Sequence, residues 1–557
     1  MGIMIKYNKR IVKIIGILFL NLLLFAGLSS CEDYLDKAPL DKISDAAVWK
    51  DVALMNAYVI ETYKQQRAPH SSNYYYSVCS DESFARERTD AFLVQQGNMT
   101  PSDLGRMGND WPTYYKNVTR GNIFLSNIEN IDLSGFTAAD KDKVSVLIGE
   151  MKFHRAFAYF RLGSLFGGVP LVTEPFKLDD DFNIPRDSYD DVMNFVVAEL
   201  TEAADLLPLS RSSNDRGRVT KGAALGLKSR ALLYMASPLN NPGNVQSKWQ
   251  AAAAAAKEVI DLGLYSLYPD YGELFREEAN FNDEVIWERV IENDYVRTMG
   301  IERDFYPNGF GGYAVTVPTQ RQVDAYETLN GLSVVDDPAY DPNEFWLNRD
   351  PRFYATILYD GAPFRGRQIE TFMPDGMDSF GGPTASWNAS YTGYYSRKFI
   401  QEFLPGSPGG SSGNTSSPNW PYLRYAEILL NYAEANYNLG LEDIAREYIN
   451  KVRSRPSVNM PAVTDTGADL MVRIKRERQV ELYLEEHRFF DTRRWKEVYP
   501  PDDYIQKMNV DKDPVTGVKT YYLTNVLSFA LPERTFHLPI PLVEITRDPN
   551  LEQNPGY

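Results

Sequence analysis

Apolar positions along the chain fall into stretches of helical period, separated by one long stretch that has none. From Glu150 the run EMKFHRAFAYFRLGSLFGG sets Phe153, Phe157, Phe160 and Leu165 three to five positions apart, one stripe of an α-helix, and Gly167, Gly168 and Pro170 end it. A second unit pairs GAALGLKSRALLYMASP from Gly222 with WQAAAAAAKEVIDLG from Trp249. Its small Ala and Gly faces lie opposite Leu and Tyr, so two helices can approach closely. The third unit is YAEILLNYAEANYNLG from Tyr425 and LEDIAREYINKVRSRP from Leu441, with Gly440 at the turn and Pro456 as terminator.

In that third unit Ala433, Tyr437, Leu439, Gly440, Ala445 and Tyr448 resemble the small and large alternation of tetratricopeptide repeats in degenerate form. The pattern predicts a scaffold of helical hairpins without regular repeats. Between Tyr265 and Pro421 the texture changes to Gly, Pro, Asn and aromatics, with GFGGY at 309–313 and a flexible-loop composition, PGSPGGSSGNTSSPN, at 405–419. EVIWERVI at 284–291 and YATILYD at 354–360 read as short strands, which predicts irregular α+β structure laid on the helices. DKDPVTGVKTYYL reads as a β-hairpin turning at Asp513, Pro514 and Gly517. Asn509, Asp511 and Asp513 have the spacing of a calcium loop, but Pro514 stands where an EF-hand needs glycine, so a turn is the better reading.

Composition narrows the function. A chain of 557 residues with 43% hydrophobic and 24% charged positions is an ordinary folded protein, one large domain or two packed together. Its net charge of −17 is wrong for nucleic acid, whose binding rests on Lys and Arg neutralising phosphate. Four His and two Cys rule out a Cys/His zinc cluster. HExxH and phosphate-cradling glycine motifs are missing, and the one GxSxG string, GGSSG at 409–413, falls in the loop-composition stretch and not at a strand-to-helix nucleophile elbow. No cofactor and no metal site is expected, though oxygen-only calcium sites leave little trace in sequence. His154 and His487 lie within amphipathic runs and read as structural.

Residues 1–30 carry Lys6, Lys9, Arg10 and Lys13, then an apolar run from Ile14 to Leu28 that is short for a membrane span, and read as an export signal. Leu28-Ser29-Ser30-Cys31 resembles the lipobox of bacterial lipoproteins, which makes Cys31 the lipidated first residue of the mature chain. The start Cys31-Glu32-Asp33 resembles the export signal of surface-exposed lipoproteins in Bacteroidetes-type bacteria. Cys79 is then without an intrachain partner and reads as a buried structural thiol.

Eight segments in order carry a family resemblance: CEDYLDKAP from Cys31, RAFAYFRLGSLFGGVPLV from Arg155, WQAAAAAAKEVI, DPRF at 350–353, LRYAEILLNYAEA from Leu423, INKVRSR from Ile449, RERQVELYLEEHRFFDTRRW from Arg476, and PIPLVEITRDPNLEQNPGY. Together they resemble the SusD/RagB family of outer-membrane nutrient-binding lipoproteins over nearly the whole length. Glu486 departs from the pattern, standing where the family often has glycine. The resemblance implies a mainly α fold, a tetratricopeptide-like hairpin scaffold with an irregular α+β second subdomain. It implies a signal peptide at 1–30, a helical region at 31–265, a loop-rich ligand-side subdomain at 266–421 and a C-terminal helical region and tail at 422–557. It implies a lipid-anchored protein on the outer face of the outer membrane, partnered by a SusC-like TonB-dependent transporter and binding a glycan, or a peptide as in the RagB branch. A surface glycoside hydrolase using two carboxylates is the alternative from another class, since sequence spacing cannot exclude such a pair among 75 acids.

A sugar offers an apolar CH face and a rim of hydroxyls, so its site needs flat aromatic platforms beside planar polar groups. Residues 71–90 supply Tyr74, Tyr75, Tyr76, Asp81, Arg86 and Arg88, and the family's corresponding Ser-Asp loop often lies on the ligand face. Residues 295–313 supply Tyr295, Arg303, Tyr306, Asn308, Phe310 and Tyr313 beside glycines, and Trp387 is a third loop aromatic. Trp111, Trp249 and Trp495 read as helix-packing residues. Asp350 with Arg352, and Glu477, Glu481, Arg488, Asp491, Arg493 and Arg494, read as internal ion pairs.

Overall fold

The computed structural model describes residues 45–65, 74–291, 300–404, 415–499 and 502–557. The export segment, Cys31, Tyr295 and residues 405–414 of the glycine-serine loop lie outside them. Residues up to Asn56 and those from Ala57 onward are separate compact units. The first holds the helix Asp45–Val48, and the second holds the helices and strands from Tyr75 onward.

Seven consecutive long helices form one stack: α1 (Asp110–Glu129), α2 (Ala138–Phe166), α3 (Tyr189–Leu206), α4 (Lys221–Ala236), α5 (Gln246–Asp261), α6 (Tyr425–Asn438) and α7 (Glu442–Arg453), each packed on the next. Side chains of Thr137, Ser188 and Thr220 accept the backbone N–H of Asp140, Asp191 and Ala223 and so start α2, α3 and α4. The stripe of Phe153, Phe157, Phe160 and Leu165 is buried as its spacing predicts. The helix that carries it starts at Ala138 rather than near Glu150, because Val144, Leu147 and Met151 extend the buried stripe behind a charged outer face. Gly149 lets α2 approach the end of α3, since a Cβ there would lie 2.9 Å from Cβ of Leu206.

The contact of α5 with α6 is made although the chain leaves the stack at Asp261 and returns only at Tyr425. Its longest described helices in that excursion have six residues, Gln320–Ala325 and Pro351–Thr356. The second of these corrects the strand expected at 354–360. Asp350 accepts the N–H of Arg352 and Pro351 fills the first helical position, leaving only Ile357–Leu358 extended. Strands β1 (Val285–Arg289) and β2 (Trp420–Arg424) pair antiparallel at the two ends of the excursion. Trp287 of β1 stands edge-on to Phe153 and Phe157 of α2, at 4.9 and 5.5 Å between ring centroids. Helices α8 (Gly467–Glu481) and α9 (Arg488–Arg494) follow, then the hairpin β3 (Asp503–Lys512) and β4 (Lys519–Phe529), whose turn is closed by Asp513 accepting the N–H of Val515 and Thr516.

One core lies among the helices, and a second gathers Phe275, Phe305, Tyr306, Phe353, Tyr394 and Phe399 of the excursion with Tyr74, Tyr483 and the hairpin's Ile505 and Phe529. A buried ion network ties the excursion to the later helices. Glu481 of α8 accepts from Arg352 at 2.9 Å, Arg424 at 2.7 Å and Arg455 at 2.8 Å, while Glu284 takes Arg424 and Arg455 from the other side. Among the described residues no helix is long and apolar enough to cross a membrane.

Candidate ligand-binding face

Two tight turns of the excursion touch each other and carry aromatic side chains outward. In the turn Asn308–Phe310, Asn308 is buried, its Nδ2 donates to the Thr384 carbonyl at 3.0 Å and its Oδ1 accepts from Tyr395 Oη at 2.7 Å. Gly312 allows the following chain to fold back, because a Cβ there would lie 1.9 Å from the Tyr306 carbonyl. Tyr313 is thereby presented at the surface with 48% of its area open, while Phe310 is half-buried against the second core. The second turn, Ser386–Asn388, follows Ala385 in the left-handed region at φ 43° and leaves Trp387 68% exposed.

Arginines lie against these rings. Arg86 donates to the Trp387 carbonyl and sits 5.0 Å over the Tyr391 ring, which Phe84 and Phe380 support at 6.4 and 5.0 Å. Arg367 lies 3.9 Å over Phe310 and Arg303 lies 5.5 Å over Tyr313. Such contacts hold a guanidinium in place against the ring. Each is also balanced by an acid: Arg86 by Glu87 at 2.6 Å, Arg303 by Asp304 at 3.0 Å and Arg367 by Asp378 at 2.6 Å. Burial raises the Asp304 carboxyl, and Arg303 and then, through space, Arg88 act against that rise. The face therefore offers planar donors and ring platforms with little net charge.

Of the residues singled out in sequence, Arg86, Arg88, Arg303, Phe310, Tyr313 and Trp387 meet here. Tyr306 and Asn308 lie beneath as supports, Tyr306 fully buried with its hydroxyl donating to the Gln401 carbonyl and accepting from Arg365 at 3.0 Å. Tyr74 is interior, packed on Phe305 at 5.0 Å and Trp420 at 5.4 Å. Asp81 is interior as well, held by Arg488. Neither has side-chain surface to offer a ligand, which corrects the expectation placed on both. Tyr75 and Tyr76 turn away from this face and line a cavity among the helices. Tyr391 and Arg367 escaped the sequence reading. Tyr391 had a local signal, four positions after Trp387 in the same polar loop, whereas Arg367 is linked to Phe310 only by folding.

The remaining candidates are structural. Trp111, Trp249 and Trp495 are buried, and Cys79 is a buried free thiol. Burial keeps His154 and His487 neutral, His154 at about 3, reinforced at His154 by Arg218 and at His487 by Arg230. Among the described residues no group of three or more His, Cys, Asp or Glu could hold a metal ion.

Comparison with known proteins agrees with this architecture. Residues 283–557 match the model of the SusD family, and residues 33–233 match a model described as starch-binding associating with outer membrane. The chain belongs to the SusD-like family. A SusD-like protein of Bacteroides fragilis has a solved structure that superposes with a TM-score of 0.79 at 28% identity, over 94% of this chain and 100% of that one. A SusD-like carbohydrate binding protein of the same species superposes at 0.75 with 27% identity, over 91% and 100%. A SusD-like protein of Bacteroides ovatus is 24% identical over 574 residues, 96% of each chain.

Proposed function

We propose that this protein captures a neutral polysaccharide on the face formed by Trp387, Tyr391, Phe310, Tyr313 and their arginines, and hands it to a TonB-dependent outer-membrane transporter. The observation that carries the reading is Trp387, an indole 68% open to solvent on a turn fixed from below by Arg86. A large exposed aromatic costs solubility unless something covers it, and a pyranose CH face matches its shape. Balanced arginines supply hydroxyl donors without the net charge that would select an acidic polymer. The carbohydrate binding named for the Bacteroides fragilis relative supports the ligand class, and the outer membrane named in the N-terminal family model supports the location. Lipidation at Cys31 anchors the chain, and the protein binds without cleaving.

Native gel migration of the mature protein, in lanes cast with different neutral polysaccharides and stained afterwards for clearing, tests this. Retardation without clearing in at least one lane is expected. Clearing moves the assignment to a hydrolase, and migration unchanged in every lane removes the polysaccharide.

A further inference from the structure

A cavity of about 420 Å³ lies among α1, α2, α4, β2 and the segment that enters α9, and shares no lining residue with the aromatic face. Its volume falls in the range of small-molecule sites, about 300–1,000 Å³. The wall is aromatic, but its polar groups are unusual. Arg161 is sandwiched by rings, 4.6 Å from the Tyr76 centroid and 4.9 Å from that of Phe490, and its Nε donates to Tyr114 Oη at 3.0 Å. Among the described residues no carboxylate forms an ion pair with it, whereas Arg230 in the same wall is paired with Glu427 at 2.6 Å. Arg161 lines the cavity and neither of its Nη atoms makes a hydrogen bond among the described residues, so an anion in the cavity would find charge-assisted donors there.

Glu486 is the second unusual group. Its backbone sits at φ 63°, a conformation that costs glycine nothing and disfavours any residue with a Cβ. Oε1 accepts the Tyr76 N–H at 3.3 Å, Oε2 makes no hydrogen bond among the described residues, and burial raises the carboxyl to about 7. Tyr76 Oη also donates to Asp110 Oδ2, so a second carboxylate lies on the same wall. Both acids act on Arg161 through space without closing on it. A carboxyl held at a cavity near a guanidinium with which it forms no ion pair, on a backbone conformation that glycine would adopt without strain, is the kind of outlier from which a function is inferred.

We propose that this cavity binds a small carboxylate whose neighbouring carbon carries a hydrogen-bond donor, as in a uronic acid or an α-amino acid. The Nη edge of Arg161 takes the ligand carboxylate, Glu486 and Asp110 accept from its hydroxyl or ammonium group, and Tyr76, Tyr114 and Phe490 cover it. This holds independently of the reading of the outer face.

The test is titration calorimetry of the purified full chain with glucuronate, L-phenylalanine and glucose. Saturable binding of glucuronate or L-phenylalanine is expected, glucuronate alone naming a sugar acid and L-phenylalanine alone an amino acid, with affinity lowered at least tenfold in Arg161→Gln. Should Arg161→Gln fail to fold, Glu486→Gly relieves the left-handed backbone, so it is expected to fold and to bind several-fold more weakly. The proposal is overturned if neither carboxylate binds, if glucose binds as well as they do, or if binding ignores both substitutions.

Discussion

Arg488 closes on Asp81 with two parallel hydrogen bonds, Nε to Oδ1 at 2.7 Å and Nη2 to Oδ2 at 2.8 Å, across 407 positions of sequence. Tyr499 Oη donates to the same carboxylate at 2.8 Å. Burial pushes the Asp81 carboxyl up, and Arg488, with help from Arg321 and Tyr499, overrides it and holds it at about 2. A carboxylate with a depressed folded value contributes stability above its unfolded value of about 3.9 and loses it as pH falls toward 2. Asp81→Asn strands the buried Arg488 charge and is expected to cost about 3–5 kcal/mol at neutral pH. Urea unfolding from pH 7 to pH 2 checks this, the variant losing less than the parent over the acid part of the range.

Glu82, the next residue, behaves in the opposite sense. Burial raises its carboxyl to about 8, so the folded protein keeps a proton that the unfolded chain releases. Its stabilising proton is fully effective below about 4.5 and is lost as pH rises toward 8. Glu82→Gln is expected to flatten that decline and to stabilise the protein at pH 8 by on the order of 3 kcal/mol. Thermal melts of both proteins at pH 5 and pH 8 check it, and equal shifts at both values refute it.

Glu481 holds three buried arginines from separate parts of the chain, Arg352, Arg424 and Arg455. Glu481→Ala leaves them without their common acceptor and is expected to cost about 3–5 kcal/mol. Calorimetric unfolding measures it, and a loss under ~1 kcal/mol means the network relaxes onto Glu284 and Glu477.

On the ligand face, Trp387→Ala, Tyr391→Ala and Arg86→Ala are each expected to lower polysaccharide affinity about tenfold or more, as loss of a central aromatic or Arg contact does. Trp387→Ala should leave the melting temperature within ~2 °C, because an exposed ring adds little to folding. Tyr306→Ala, beneath the same face, is expected to cost about 3–5 kcal/mol of stability instead. Affinity should also change little between low and high salt, since the arginines are already balanced. Affinity gels and melts of the four variants separate support from contact.

Cys31→Ala is expected to abolish incorporation of a fatty-acid analogue and to release the protein from the membrane fraction. Continued labelling in that variant removes the lipobox assignment.

The helical hairpins were readable from sequence because a buried stripe repeats within a few positions, as Phe153, Phe157 and Phe160 do on α2. Glycine and proline marked the ends of those helices for the same local reason. The residues of the proposed face were open to sequence reading only as loop positions, Phe310, Tyr313 and Trp387 standing in stretches rich in glycine and small polar residues. Residue type and spacing could not separate them from Tyr74, Asp81, Tyr306 and Asn308. Those side chains are interior because of partners far along the chain: Phe305, Arg488, Gln401 and Thr384. The contact of α5 with α6 across the whole excursion, and Arg161 opposite Glu486 with no ion pair among the described residues, belong to the same class. Local periodicity is set by neighbours a turn away, whereas desolvation and charge pairing are set by whatever folding brings within a few ångströms.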